Sequence, residues 1–147
     1  MAFTGNFMCT SFKKALLDGE MDFSANTTDT FNIALYTNSA SLTAATSDYV
    51  NNLTGEVANG NGYTTKGIAL TNVTPALSGD TACCDFANVS FTSASFTANG
   101  CLIFNETASG DPSVCAIAFG GDKTVSSGTF TIQFPVADSS NAILRIA

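Results

Sequence analysis

The sequence predicts an all-β, mainly antiparallel fold, either a β-sandwich or a jelly-roll-like barrel, with one short N-terminal helix. Three observations predict it. Seven or eight short runs alternate apolar with polar residues, the two-residue period of a strand with one buried face. Gly, Pro, Asp and Ser punctuate the gaps between these runs. Charged residues are only 12% of the chain against about 25% in an average protein, so Ser, Thr and Asn, which favour strands and turns, must supply the polar surface.

The helix is predicted in the stretch "CTSFKKALLDGE", within an N-terminal segment covering residues 1–20. Thr10 or Ser11 is the expected N-cap, and Gly19 is the expected stop. The apolar residues between them share one face, and Lys13 and Lys14 lie on the other. A length of 147 residues predicts one domain, residues 1–147, that includes this segment.

The first strong strand is "TFNIALYT", where Phe31, Ile33 and Leu35 alternate with residues assigned to the opposite face. One buried face is therefore expected. Residues 38–62 follow, with many Ser, Thr, Asn and Gly and few apolar side chains. Because a structureless loop of that length is unusual in a compact domain unless it contacts something, we predict a contact surface there.

Later strands are separated by predicted turns, and Gly100 in the longest of them indicates a bulge or a close backbone approach. The final run, "NAILRIA", is expected to insert beside an earlier strand. The predicted turns are Thr74-Pro75, Ser78-Gly79-Asp80, Ser109-Gly110-Asp111-Pro112, Gly120-Gly121-Asp122 and Ser127-Gly128.

Charge and hydropathy exclude several classes of partner. The net charge is -7 with only five basic residues, so no basic stripe is available for a phosphate backbone and we expect no nucleic acid. No apolar window reaches the 18 residues of a transmembrane helix, so we expect no membrane partner. Lys13 and Lys14 follow the first apolar residues instead of preceding them, which does not fit a signal peptide and predicts synthesis in a cytoplasm without export.

Catalytic and cofactor motifs are not found. The chain has no His, which removes Ser-His-Asp and Cys-His chemistry, and it has no phosphate-binding glycine loop. Asp18, Glu20 and Asp22 alternate like calcium ligands, but Phe23 occupies the position of the loop glycine and Asp29 that of the final glutamate. We therefore expect neither an enzyme nor a metal or cofactor site.

Five cysteines are an odd number, so at least one thiol stays free or pairs between chains. If "CLIFNETASGDPSVC" is a hairpin that turns at about Ala108, Cys101 and Cys115 face each other on adjacent strands. Either a cross-strand disulfide or a packed pair of thiols then follows.

Four stretches together resemble a family of small virion proteins of tailed bacteriophages: "MAFTGNFMCTSFKKALLDG", "DTFNIALYTNSASL", "GYTTKGIALTNVTP" and "FGGDKTVSSGTFTIQFPVADSSNAILRIA". The resemblance covers nearly the whole chain and includes no catalytic motif. It implies a non-enzymatic structural component of the virion. Two placements remain open: a capsid decoration or cement protein bound to the major capsid protein, and a tail or head-to-tail component.

A homo-oligomer is expected in either placement, since repeated copies of one chain assemble with symmetry. A tail-fibre domain that binds host glycans through tyrosines is a third alternative. For the partner interface, apolar residues in weakly patterned segments are the candidates, because they need burial from elsewhere. The equal alternative is that they complete the core of the chain itself. These candidates are Phe3, Phe7, Phe12, Leu42, Tyr49 and Val50.

Overall fold

Eight strands and one helix form the regular structure of residues 4–147, the part of the chain that the computed structural model describes. In chain order they are β1 (Asn6–Met8), α1 (Thr10–Leu17), β2 (Phe31–Tyr36), β3 (Ile68–Ala69), β4 (Asn72–Ser78), β5 (Thr81–Phe86), β6 (Val89–Asn105), β7 (Ser113–Ile132) and β8 (Leu144–Ile146).

The strands form two antiparallel sheets. One has five strands in the order β1-β7-β6-β2-β3, and the other has three in the order β4-β5-β8. Aromatic rings fill the space between them: Phe23 stacks on Phe31 with ring centroids 4.4 Å apart, and Phe86 of β5 lies 5.9 Å from Phe31 of β2. The predicted all-β fold with one short helix is confirmed in its sandwich-like form, because each sheet has open edges and neither closes into a barrel.

Strand β2 is buried on both faces, not on one as its alternation predicted. Phe31, Ile33 and Leu35 are buried as expected. Ala34 and Tyr36 on the opposite face are also fully buried. The alternating apolar residues of β2 point toward the small sheet. The opposite face of β2 is buried as well, because a second layer of the chain covers it.

That second layer is the segment of residues 38–62, which the sequence predicted to be a contact surface. It has turns and isolated bridges but no strand or helix, and it runs beside β2, where the Val57 N–H donates to the Leu35 carbonyl at 2.9 Å. Ala40, Leu42, Tyr49 and Val57 of the segment are buried, whereas Val50 and Leu53 are exposed. Tyr49 stacks on Phe104 of β6 at 4.5 Å. The buried side chains of the segment therefore make their contacts within the chain, and a partner contact through its exposed residues stays a prediction.

Strands β6 and β7 are two long strands where the sequence predicted four short ones. The predicted turn at Gly120-Gly121-Asp122 lies inside β7, as a bulge opposite β6. Ala98 pairs with Lys123 but Gly100 pairs with Ala118, so the extra residues on β7 bulge out. The predicted irregularity at Gly100 is confirmed, and the predicted turn at Ser127-Gly128 is a second irregularity within the same hairpin.

The predicted turn at Thr74-Pro75 also proves to be a bulge, in the edge strand β4, between Val73 and Ala76. Proline is tolerated there because an edge strand needs fewer backbone donors. The turn at Gly79 is confirmed, with φ +62°, between β4 and β5. Strand β8 pairs with β5 on the other edge, which confirms that the final run inserts beside an earlier strand.

Helix α1 is confirmed, and Gly19 with φ +73° follows its end. The N-cap is Cys9 and makes no side-chain capping bond, so the prediction of Thr10 or Ser11 as the cap was wrong. Phe12 and Ala15 are the buried residues of the helix. None of the helical structure within residues 4–147 is long and apolar enough to cross a membrane.

Candidate contact surfaces

Three of the residues predicted to dock on a partner lie instead in the core of the chain. Phe12, Leu42 and Tyr49 each expose only 2% of their surface. Phe12 packs edge-to-face on Phe23 at 5.8 Å, and Tyr49 stacks on Phe104. The prediction failed for them because long-range contacts, which local sequence pattern does not reveal, supply their burial.

The other three predicted interface residues have different outcomes. Val50 is exposed, and Phe7 of β1 is half-buried against the core. Phe3 lies outside the described residues. Among the described members of the set, only Phe7 and Val50 therefore keep surface that a partner could contact.

A carboxylate holds two buried tyrosines beneath the segment of residues 38–62. Glu56 accepts hydrogen bonds from the hydroxyl of Tyr49 at 2.7 Å, the hydroxyl of Tyr63 at 2.8 Å and the backbone N–H of Lys66 at 2.8 Å. Burial, together with the neighbouring Glu56 carboxylate, raises the pKa of both phenols far above the usual value, so they stay neutral donors. Tyr36 is fully buried as well, and none of the three tyrosines offers a ring face to a glycan.

Lys66 closes this cluster with ion pairs. Its Nζ lies 2.7 Å from Oδ2 of the buried Asp111 and 3.5 Å from Oε1 of Glu106, and it approaches the ring of Tyr49 at 5.9 Å. The hydrogen bond to Asp111 raises the pKa of Lys66, which keeps the amine charged and unreactive as a nucleophile. The cluster ties the chain just after residues 38–62 to the β6–β7 turn.

Cys101 and Cys115 do not face each other. Cys101 pairs with Ile117 and Cys115 pairs with Ile103, because the hairpin is centred one residue later than predicted and the register shifts by two. Both thiols are free, and burial raises the pKa of Cys101 to about 12. The predicted disulfide is wrong for this structure, and the alternative of thiols packed in the core agrees with it.

The described residues contain no group of three or more His, Cys, Asp or Glu side chains arranged to hold a metal ion. Every cysteine is buried as a free thiol, and these residues are Cys9, Cys83, Cys84, Cys101 and Cys115.

An exposed apolar row crosses the three-stranded sheet. The register places Leu77 of β4 opposite Ala82 of β5, and Ala82 opposite Ile146 of β8. On the same face, Cys84 and Leu144, two residues along their strands from Ala82 and Ile146, are buried. Leu77 is 77% exposed and Ile146 is 54% exposed. The inner face of the small sheet thus extends past the layer that covers it, and we call Leu77, Ala82 and Ile146 the apolar row.

A narrow groove of about 120 Å³ adjoins the apolar row, between α1 and the small sheet. Its lining is almost entirely apolar, so the row and the groove form one continuous apolar surface. The lining residues are Met8, Phe12, Leu16, Phe23, Pro75, Ala82, Cys83, Cys84, Leu144 and Ile146.

A larger groove of about 530 Å³ opens along the second half of β7 and the segment that follows it. Its interior is apolar and aromatic, and one charged residue, Lys123, lies in its lining. The lining residues are Ile33, Cys101, Ile117, Phe119, Lys123, Phe130, Thr131, Ile132, Gln133, Phe134, Pro135 and Ile143.

Comparisons with family models, with curated proteins and with solved structures each find no match for this chain. The surfaces themselves are therefore the structural basis for a functional proposal. The sequence predicted neither the apolar row nor the larger groove. Alternation in "NAILRIA" placed Leu144 and Ile146 on one face, but nothing local indicated that the covering layer would end between them.

Proposed function

We propose that this chain is a non-enzymatic structural protein of a tailed-bacteriophage virion, most simply a capsid decoration or cement protein that binds the major capsid protein as a symmetric oligomer. It is made in the host cytoplasm and incorporated into the particle. The resemblance of four stretches of the sequence to such proteins supports the class. The contact surface supports the mode of action.

The apolar row is the observation that carries the proposal. Leu77 and Ile146 together present an apolar strip with no charge in it, on the same face of the small sheet as the buried Cys84, Phe86 and Leu144. Contiguous exposed apolar surface of this kind marks contacts with other proteins, and many identical copies add their individual contacts. Decoration of a repeated shell uses both effects.

Binding to capsids tests the proposal. Purified chain is added to capsids of the phage that encodes it, prepared without the chain, and bound protein is measured after sedimentation. We expect saturable binding by the natural chain. Leu77→Glu and Ile146→Glu should each lower the affinity at least tenfold, because a buried unpaired carboxylate is costly at an interface.

Val136→Glu is the matched control, since Val136 is 72% exposed and belongs to the segment after β7, not to the apolar row. It should bind like the natural chain. If none of these proteins binds capsids and the natural chain is missing from purified virions, the proposal is wrong.

A tail or head-to-tail component is the alternative from the same class. Copy number separates the two placements. A cryo-EM reconstruction of the virion with hundreds of copies on the shell supports decoration, whereas six or twelve copies on the particle axis support the tail.

A further inference from the structure

The larger groove has the composition of a ligand site. We propose that it binds a small amphiphile with an alkyl body and one negative charge, of which a fatty-acid carboxylate is the simplest example. This inference does not depend on the proposed virion function.

Size and lining determine the apolar part of the ligand. A volume of about 530 Å³ falls within the roughly 300–1,000 Å³ usual for small-molecule sites. Ile33 and Cys101 of the five-stranded sheet are buried at the groove, while Phe119, Phe130 and Ile143 are only partly covered. Each methylene that leaves water for such a surface raises affinity by about fourfold. An alkyl chain gains this along its whole length.

Charge determines the head group. Lys123 lines the groove, and no carboxylate of residues 4–147 lies within ion-pair distance of it. Its neighbour Asp122 is engaged elsewhere, accepting hydrogen bonds from Asn99 at 2.9 Å and Asn38 at 3.2 Å. The Cys101 thiol is neutral because burial raises its pKa to about 12, so it does not repel an anion. In a chain of net charge -7, an unpaired cation beside an apolar groove favours an anionic head.

Dodecanoate is the probe, and the chain provides its own internal reporters. Four of its seven isoleucines, Ile33, Ile117, Ile132 and Ile143, line the groove, and Ile68, Ile103 and Ile146 do not. Titration is followed by calorimetry and by the δ1-methyl NMR signals of isoleucine. We expect one bound dodecanoate per chain and large shifts of the four groove methyl groups. The signal of Ile146 should not move, since it reports on the apolar row.

Variants test the head group without disturbing the core. Lys123 is exposed, so Lys123→Ala should fold normally and bind dodecanoate about tenfold more weakly, while Lys123→Arg should retain binding. Lys13→Ala, which removes an exposed lysine of α1, is the matched control and should change nothing. Dodecyltrimethylammonium has the same alkyl chain and the opposite charge, and should bind the natural chain at least tenfold more weakly.

Several results would overturn the inference. They include no dodecanoate binding, equal binding of both probes, unchanged affinity in Lys123→Ala, or shifts centred on Ile146. Concentration-dependent loss of the four methyl shifts, with dimer formation in sedimentation, would instead assign the groove to a second copy.

Discussion

The five-stranded sheet has one face covered by residues 38–62 and the other covered by the three-stranded sheet, and the two coverings differ in an unexpected way. The segment of residues 38–62 contains no strand or helix, yet Leu42, Tyr49 and Val57 within it are buried. Strand β4 is regular, yet five of its seven residues are exposed and the other two are only half-buried. Whether a side chain is buried therefore depends on the layers packed against it, and not on whether its backbone is a regular strand.

The two coverings are also held by different forces. Carboxylate hydrogen bonds from Tyr49 and Tyr63 to Glu56, and the ion pair of Lys66 with Asp111, fix the irregular segment. Backbone ladders and a few inner-face side chains hold the small sheet. Substitutions should therefore be costly on the first face and well tolerated at the exposed end of the second.

Glycine substitutions should show the largest contrast. A Cβ added at Gly67 would lie 1.8 Å from the Ile33 carbonyl oxygen, and its φ is +72°. Backbone must move to admit it, so we expect Gly67→Ala to lower the free energy of unfolding by more than about 4 kcal/mol or to prevent folding. Urea unfolding followed by circular dichroism measures the effect.

Gly79→Ala is the counterpart in the turn of the small sheet. Gly79 has φ +62° but nothing within 4 Å of an added Cβ. Only the backbone conformation opposes the change, so the cost should be about 1–2 kcal/mol. Equal losses in the two variants would contradict the difference in backbone packing between the edge of the five-stranded sheet at Gly67 and the turn of the small sheet at Gly79.

Leucine truncation gives the second contrast, with an intermediate effect. Leu42→Ala removes a buried side chain from the irregular segment and should cost about 2–5 kcal/mol. Leu77→Ala removes an exposed side chain from a regular strand and should change stability by no more than about 0.5 kcal/mol. Thermal unfolding of both variants measures this, and a cost for Leu77 near that of Leu42 would mean that the apolar row is buried in solution.

The smallest expected effect is a pH-dependent one at Asp85 of β5. Its Oδ1 accepts the N–H of Phe86 at 2.9 Å, whereas its buried Oδ2 has no hydrogen bond of good geometry within residues 4–147. Burial raises the pKa of this carboxyl, although backbone N–H groups of Phe86 and Ile143 partly oppose the shift. A raised folded-state pKa gives stability that is complete below the unfolded value, near 3.8, and is lost as pH rises through the folded value. Asp85→Asn, neutral throughout, should match the natural chain at about pH 3.5 and be about 1 kcal/mol more stable at pH 7.

Urea unfolding at both pH values measures this difference. Asp80→Asn, in the exposed β4–β5 turn, is the matched control and should stay within about 0.5 kcal/mol of the natural chain at either pH. A difference at Asp85 that is the same at pH 3.5 and pH 7 would show that the charge of this carboxyl is not the cause.

The sequence was sufficient for the features that depend on local pattern. Alternation identified β2, glycine with turn residues identified the break at Gly79, and the final run was placed beside an earlier strand, where β8 pairs with β5. The pairing register between β6 and β7 could not be predicted from local pattern. Glycine pairs inside β7 have the same local chemistry as a turn, and only pairing with β6 shows that they are a bulge.

The contact surfaces were the least predictable part. Whether an apolar residue such as Leu42 or Leu77 is covered depends on where distant layers begin and end, which alternation along one strand does not encode. The tyrosine cluster is similar, because Glu56 and Tyr63 carry no local signal of their shared hydrogen bond.

The five buried cysteines can report local unfolding of the molecule. Burial raises the pKa of Cys101 and Cys115, and a protonated, enclosed thiol reacts slowly with alkylating reagents. Each thiol becomes reactive only when the element around it separates transiently from its neighbours. The rates at which Cys84 of β5 and Cys101 of β6 are alkylated would therefore show which of the two sheets opens more often, without an introduced cysteine.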